Sequence, residues 1–181
     1  MQSDYHAFYW AGIAVTAFKF GIKLQRLSIG DKDGLHGVAE LEPVTEWCDL
    51  DVGMNSFKAS AVEDYATTLL AGSAASFIRA QDERHHLKRS LGDAGLKMKF
   101  ERQVWECVRR EPDRAVALIC GSLGSFDDGD VEATTQRLLE RAVRTLRQPK
   151  QNQQLKRLAQ KLLRVKLMTD RDINQFFGVK L

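Results

Sequence analysis

The stretch that most restricts what this chain can fold into runs from Tyr5 to Phe20, without proline, through Phe8, Tyr9, Ala11, Gly12, Val15 and Phe18. Ser3 precedes it as an N-cap, and Gly21 follows it as a stop, because glycine accepts the left-handed backbone that closes many helices. A helix apolar on nearly every face has to be covered on several sides, so this one is expected at the centre of the fold. Lys19 and Lys23 interrupt it before it reaches the roughly 20 apolar residues of a membrane span. It also lacks a basic leader and a small-residue cleavage site, so neither an anchor nor a signal peptide is expected.

Further along, Lys23 to Ile29 reads as a short strand, Gly30 to Gly34 as a turn and His36 to Leu41 as a second strand, together a hairpin. From Ser60 to Ala80, Val62, Tyr65, Ala66, Leu69, Leu70, Ser73 and Phe77 follow three-and-four spacing, predicting a second core helix. Ala71, Gly72, Ala74 and Ala75 leave that helix a smooth side, and the first helix is its natural partner. A polar stretch with His85 and His86 follows, then a helix from Leu96 to Arg110 and another begun by Pro112 and reaching Cys120. Gly121 to Gly129 reads as a loop. Asp127, Asp128 and Asp130 suit the start of the next helix, Val131 to Leu146, where negative charge opposes the macrodipole. After Pro149, Leu155, Leu158, Ala159 and Leu162 form an amphipathic stripe, and Thr169 precedes a short capped helix, Asp170 to Phe177. The fold class is mainly α with a small β-hairpin, in one domain spanning residues 1–181.

With 44% hydrophobic and 28% charged residues the chain belongs to the ordinary globular class. Its net charge of +3 is too mild to imply nucleic acid by itself. The distribution says more. Between Arg141 and Met168 there is no Asp or Glu, while Arg141, Arg144, Arg147, Lys150, Lys156, Arg157, Lys161, Arg164 and Lys166 all fall there. Cys48, Cys107 and Cys120 are an odd number, widely spaced, and contain no CxxC pair, so a reducing cytoplasm fits better than a disulfide framework or a cysteine zinc site.

The order of parts is more specific than any one of them. A near-N-terminal helix opening with Tyr5 and His6, a hairpin, the run LLAGSAASFIRA from Leu69 to Ala80, and the closing LKRLAQKLLRVKLMTDRDINQFFG follow one another. This arrangement resembles the M41 peptidase domain of membrane-anchored AAA+ zinc proteases, and more closely the short stand-alone bacterial proteins similar to that domain, over Tyr5 to Phe177. The resemblance implies a zinc-binding HExxH motif on the first helix and an acidic third ligand beyond the second core helix.

In an HExxH helix, residues four apart share a face, so two imidazoles grip one zinc while the Glu after the first His acts as general base. Here the corresponding residues are His6, Ala7, Phe8, Tyr9 and Trp10. The base has become Ala7 and the second ligand Trp10. The acidic ligand falls near residues 92–96, where Asp93 is the only carboxylate and Gly95 equally fits the register. A lone imidazole does not hold catalytic zinc, which takes three protein ligands. Loss of the base alone removes proton transfer typically worth about 10²- to 10⁴-fold. The resemblance therefore implies a protease fold without its zinc or its chemistry, a pseudopeptidase working through a protein partner. The competing expectation is an active metalloenzyme with rearranged ligands drawn from His6, His85, His86 and Asp93.

Each remaining feature has a plainer reading. His6 is either a residual ligand or a packed histidine. His85 and His86, being adjacent, point about 100° apart on a helix and grip one ion poorly. His36 and Cys48 lack an orienting partner for nucleophilic chemistry. The aspartate cluster lacks the terminal Glu of a calcium loop. Lys156, Arg157, Lys161 and Arg164 are candidate partner-binding residues, for an acidic protein or for nucleic acid, or else a solvated face over the leucine stripe.

Overall fold

A computed structural model describes residues 2–30, 37–43, 59–87, 111–123 and 128–179. Its first element is α1 (Gln2–Phe20), followed by β1 (Leu24–Ser28), β2 (Val38–Leu41), α2 (Ala59–Leu87), α3 (Glu111–Leu123), α4 (Asp128–Arg147), α5 (Pro149–Val165), β3 (Leu167–Thr169) and α6 (Asp170–Phe177).

Every residue of α1 from Ala11 to Ala17 is buried, as an all-round apolar helix requires. Its closest neighbour is α2, and small residues make that approach possible. A Cβ on Gly12 would lie 2.5 Å from both the Ala71 carbonyl oxygen and the Ala75 Cβ, and a Cβ on Gly72 would lie 2.7 Å from the Tyr9 ring. The two helices therefore meet backbone to backbone at Gly12, with Tyr9 seated on Gly72. On its other flank α1 meets α5, whose Leu155, Leu158, Ala159 and Leu162 are all fully buried. Each buried leucine contributes about 1.5–3 kcal/mol relative to exposure. A second cluster, around Tyr65, Leu69, Ala115, Ile119 and Leu138, joins the far half of α2 to α3 and α4.

Helix α1 ends where glycine allows it. Gly21 has φ of +77°, its N–H donates to the Phe18 carbonyl at 3.3 Å, and the Ile22 N–H reaches the Ala17 carbonyl at 2.9 Å. Those two bonds satisfy carbonyls that would otherwise end unpaired. Helix α6 opens with a capping box in which the Thr169 hydroxyl accepts from the Asp172 N–H and the Asp172 carboxylate accepts from the Thr169 N–H at 3.0 Å.

The expected hairpin is present, with β1 and β2 antiparallel, but it is two-thirds of a three-stranded sheet of order β2-β1-β3. Its inner row is Ala39, Leu27 and Met168, all buried; the outer row is Val38, Ser28 and Leu167. Further corrections concern helix ends: α1 opens at Gln2, so Ser3 lies inside it rather than capping it, and α4 opens at Asp128 rather than Val131. Helix α2 continues past Ala80 to Leu87 and so includes His85 and His86, and α3 extends through Gly121 to Leu123, which shortens the expected loop. The expected helix from Leu96 to Arg110, with His36, Cys48, Asp93, Gly95 and Cys107, lies outside the described residues. Among the described residues no helix is long and apolar enough to cross a membrane.

Candidate functional site

The five residues read against HExxH, His6 to Trp10, lie near the start of α1, where it runs antiparallel to the end of α2. His6 is 9% exposed and Ala7 is fully buried. Ala7 brings only a methyl group, pressed into the core. Trp10, one turn after His6, packs edge-on against Tyr9 with ring centroids 4.9 Å apart and planes at 85°. Its indole also lies directly on the backbone leading into β2, since a Cβ on Gly37 would fall 2.0 Å from Nε1 and 2.6 Å from Cε2. The indole N–H is buried without an acceptor among the described residues.

Around this patch, α1 and α2 exchange polar contacts. Arg79 donates to the Asp4 carboxylate from Nη2 at 2.8 Å and from Nε at 3.2 Å, and its guanidinium lies 5.5 Å from the centre of the Phe8 ring. The Tyr5 hydroxyl donates to Glu83. Burial, and then the adjacent Glu83 carboxylate, push the Tyr5 hydroxyl well above its ordinary pKa. Burial works against the Arg79 charge, but the hydrogen bond and charge of Asp4, with Glu83 behind, hold its pKa above the ordinary arginine value. This cluster of Asp4, Tyr5, Arg79 and Glu83 was not visible in the sequence, because pairing across some 75 residues leaves no periodic signal.

Tested as a zinc site, the described residues do not fit. One turn after His6, Trp10 carries an indole, which offers no lone pair in the ring plane and occupies the space itself. Among the described residues no group of three His, Cys, Asp or Glu side chains converges. His85 and His86 fall in the last turn of α2 by their backbone, with side chains outside the described set, and Asp93 lies outside it altogether. A cavity of about 190 Å³ does open on the molecule, lined by Ala14, Phe18, Ile22, Lys23, Ile173 and Phe177, but it sits at the opposite end of α1 from His6.

The basic segment divides between α4 and α5, and the structure sorts its cations. Arg137, just before it, makes a two-pronged bond to Glu63 at 2.6 and 3.4 Å, and Arg141 pairs with Asp64 while its guanidinium lies 4.9 Å from the Phe20 ring centre. Arg147 donates to Gln81, and Lys156 is 3.1 Å from Asp82. Lys156 therefore does not share a surface with the other candidates: at about 100° per residue it points along the flank toward α2. Arg157 and Lys161 both sit over the Phe176 ring, at 5.9 and 5.7 Å from its centre, and Arg164 is exposed.

Comparison of the chain with known protein families and with curated proteins finds no match to either.

Proposed function

We propose that this chain is a catalytically inactive, M41-like pseudopeptidase domain that acts through binding. The observation that carries the reading is the seat of Trp10. At the position of the second zinc ligand, an indole packs on Tyr9 and on the Gly37 backbone, and Ala7, in the base position beside it, is fully buried. A side chain so placed turns a former metal pocket into packed interior, and a methyl group transfers no proton. The central, all-round apolar α1 and its close contact with α2 support the resemblance at the level of architecture. A bulky residue in place of a ligand, kept within an ordered helix pair, suits a domain whose surface rather than its centre is in use.

The test is proteolysis. The purified chain is incubated with casein and with a mixed peptide library, with and without 1,10-phenanthroline. No cleavage above a buffer control is expected. Cleavage that the chelator abolishes and added zinc restores would overturn the proposal in favour of a metalloenzyme with rearranged ligands.

A further inference from the structure

The outward face of α5 carries cations that form no ion pair with a carboxylate among the described residues. At about 100° per residue, Lys150, Arg157, Lys161 and Arg164 fall within an arc of about 60°. The buried Gln151, Leu155, Leu158, Ala159 and Leu162 lie on the opposite side of the helix. With about 1.5 Å rise per residue the four charges line up over about 21 Å. Elsewhere in the segment, Arg141 and Lys156 are matched by Asp64 and Asp82 of α2 and Arg147 donates to Gln81, whereas these four form the longest aligned row of exposed or half-exposed cations on α5. Asp172 feels the charge of Lys161, its pKa being lowered first by the Thr169 hydrogen bonds and then by Lys161, but the capping box already occupies it.

We infer that this face binds the phosphate backbone of duplex nucleic acid without reading its sequence. The choice of occupant follows from what the face lacks. A protein interface is anchored by apolar or aromatic residues at its centre. Among the described residues the large exposed hydrophobics are Phe18, Val38, Phe77, Val165, Leu167 and Val179. Only Val165 belongs to α5, and it lies about 70° from the middle of the basic arc. Single-stranded nucleic acid needs aromatic platforms for unstacked bases. Among the described residues the ring beside the face is Phe176, which is partly buried and already covered by Arg157 and Lys161. What remains is a straight row of cations with Gln153 and Gln154 among them, which suits phosphates held along a groove edge. Binding of this kind is driven by counterion release and is steeply dependent on salt.

The experiment is fluorescence anisotropy with a labelled 24-base-pair duplex of random sequence, from 25 to 200 mM salt. The full-length chain is compared with R157Q/K161Q/R164Q and with a charge-matched control, K19Q/K23Q/R26Q. Micromolar binding at low salt is expected, weakened at least about tenfold in the first variant and little changed in the second. The slope of log affinity against log salt should become shallower by about 3 in the first variant only. Circular dichroism confirms that each variant is folded, and the wild-type slope is read independently of either. Three results would overturn the inference: no binding at 25 mM salt, equal weakening in both variants, or capture of a polyglutamate peptide with no affinity for the duplex.

Discussion

Replacing Gly12 by alanine tests the contact on which the whole helix arrangement rests. The added Cβ would meet the Ala71 carbonyl oxygen and the Ala75 Cβ, each at 2.5 Å. Neither obstacle has a side-chain torsion that can turn it aside, so α1 and α2 must move apart. Overpacking of this kind costs about 1–3 kcal/mol, and two unyielding contacts at 2.5 Å place Gly12→Ala in the upper part of that range, at about 2–3 kcal/mol. Against that, alanine gains about 0.8–1 kcal/mol of helix propensity over glycine. The steric cost wins, with a net loss of about 1–2 kcal/mol. For a chain of this size that lowers Tm by roughly 2–8 °C. Thermal melts by circular dichroism measure it, with Gly21→Ala as the comparison. There a Cβ would meet nothing within 4 Å, but φ is +77°, so its loss of about 1–2 kcal/mol comes from backbone conformation alone. A Gly12→Ala variant as stable as the wild type, or more stable, would show that propensity outweighs contact and that the helices do not meet as described.

Other predictions concern single side chains. Tyr5, held protonated above its ordinary pKa of 10.0, contributes stability that is fully present below that value and lost as pH rises beyond it. Tyr5→Phe should remove that alkaline dependence and lower stability at neutral pH by about 1–2 kcal/mol, read from urea midpoints at pH 7 and 10.5. Glu63 is held below 4.5 first by its hydrogen bond from Arg137. Its contribution is present above 4.5 and disappears as pH falls through its lowered folded value, so Glu63→Gln should be less stable than wild type at pH 6, and the difference should shrink as pH is lowered below 4.5 in the same denaturation assay. Gly37→Ala should dislodge the Trp10 indole, costing about 1–3 kcal/mol and shifting tryptophan emission, whereas an unchanged spectrum would contradict the seat of Trp10 on β2.

What the sequence made legible was whatever rests on local chemistry or on periodic apolar spacing. The central place of α1, its partnership with the small-residue side of α2, the stop at Gly21 and the cap at Thr169 could all be read because the residues responsible are adjacent or regularly spaced. Strand β3 could not. It is three residues long, it continues the apolar pattern of α5 without a break, and it is separated from that helix by Lys166 at φ of 63°, where no glycine marks the turn. The extension of α2 past Ala80 was hidden for a different reason. Its apolar rhythm fades there, and the last turns are tied down by polar partners distant in sequence: Gln81 to Arg147, Asp82 to Lys156, Glu83 to Tyr5. At the candidate site, the apolar character of Ala7 and Trp10 was plain from their residue types. The role of Gly37, which leaves room for the indole, was not, because a lone glycine near a turn has an ordinary explanation.

Metal stoichiometry tests the proposed loss of zinc most directly. The purified chain is equilibrated with excess zinc, exchanged into metal-free buffer and weighed by native mass spectrometry beside a His6→Ala variant. The account predicts the metal-free mass for both. One zinc retained per wild-type chain and lost with His6 would mean that a working metal site persists at the start of α1, and would contradict it.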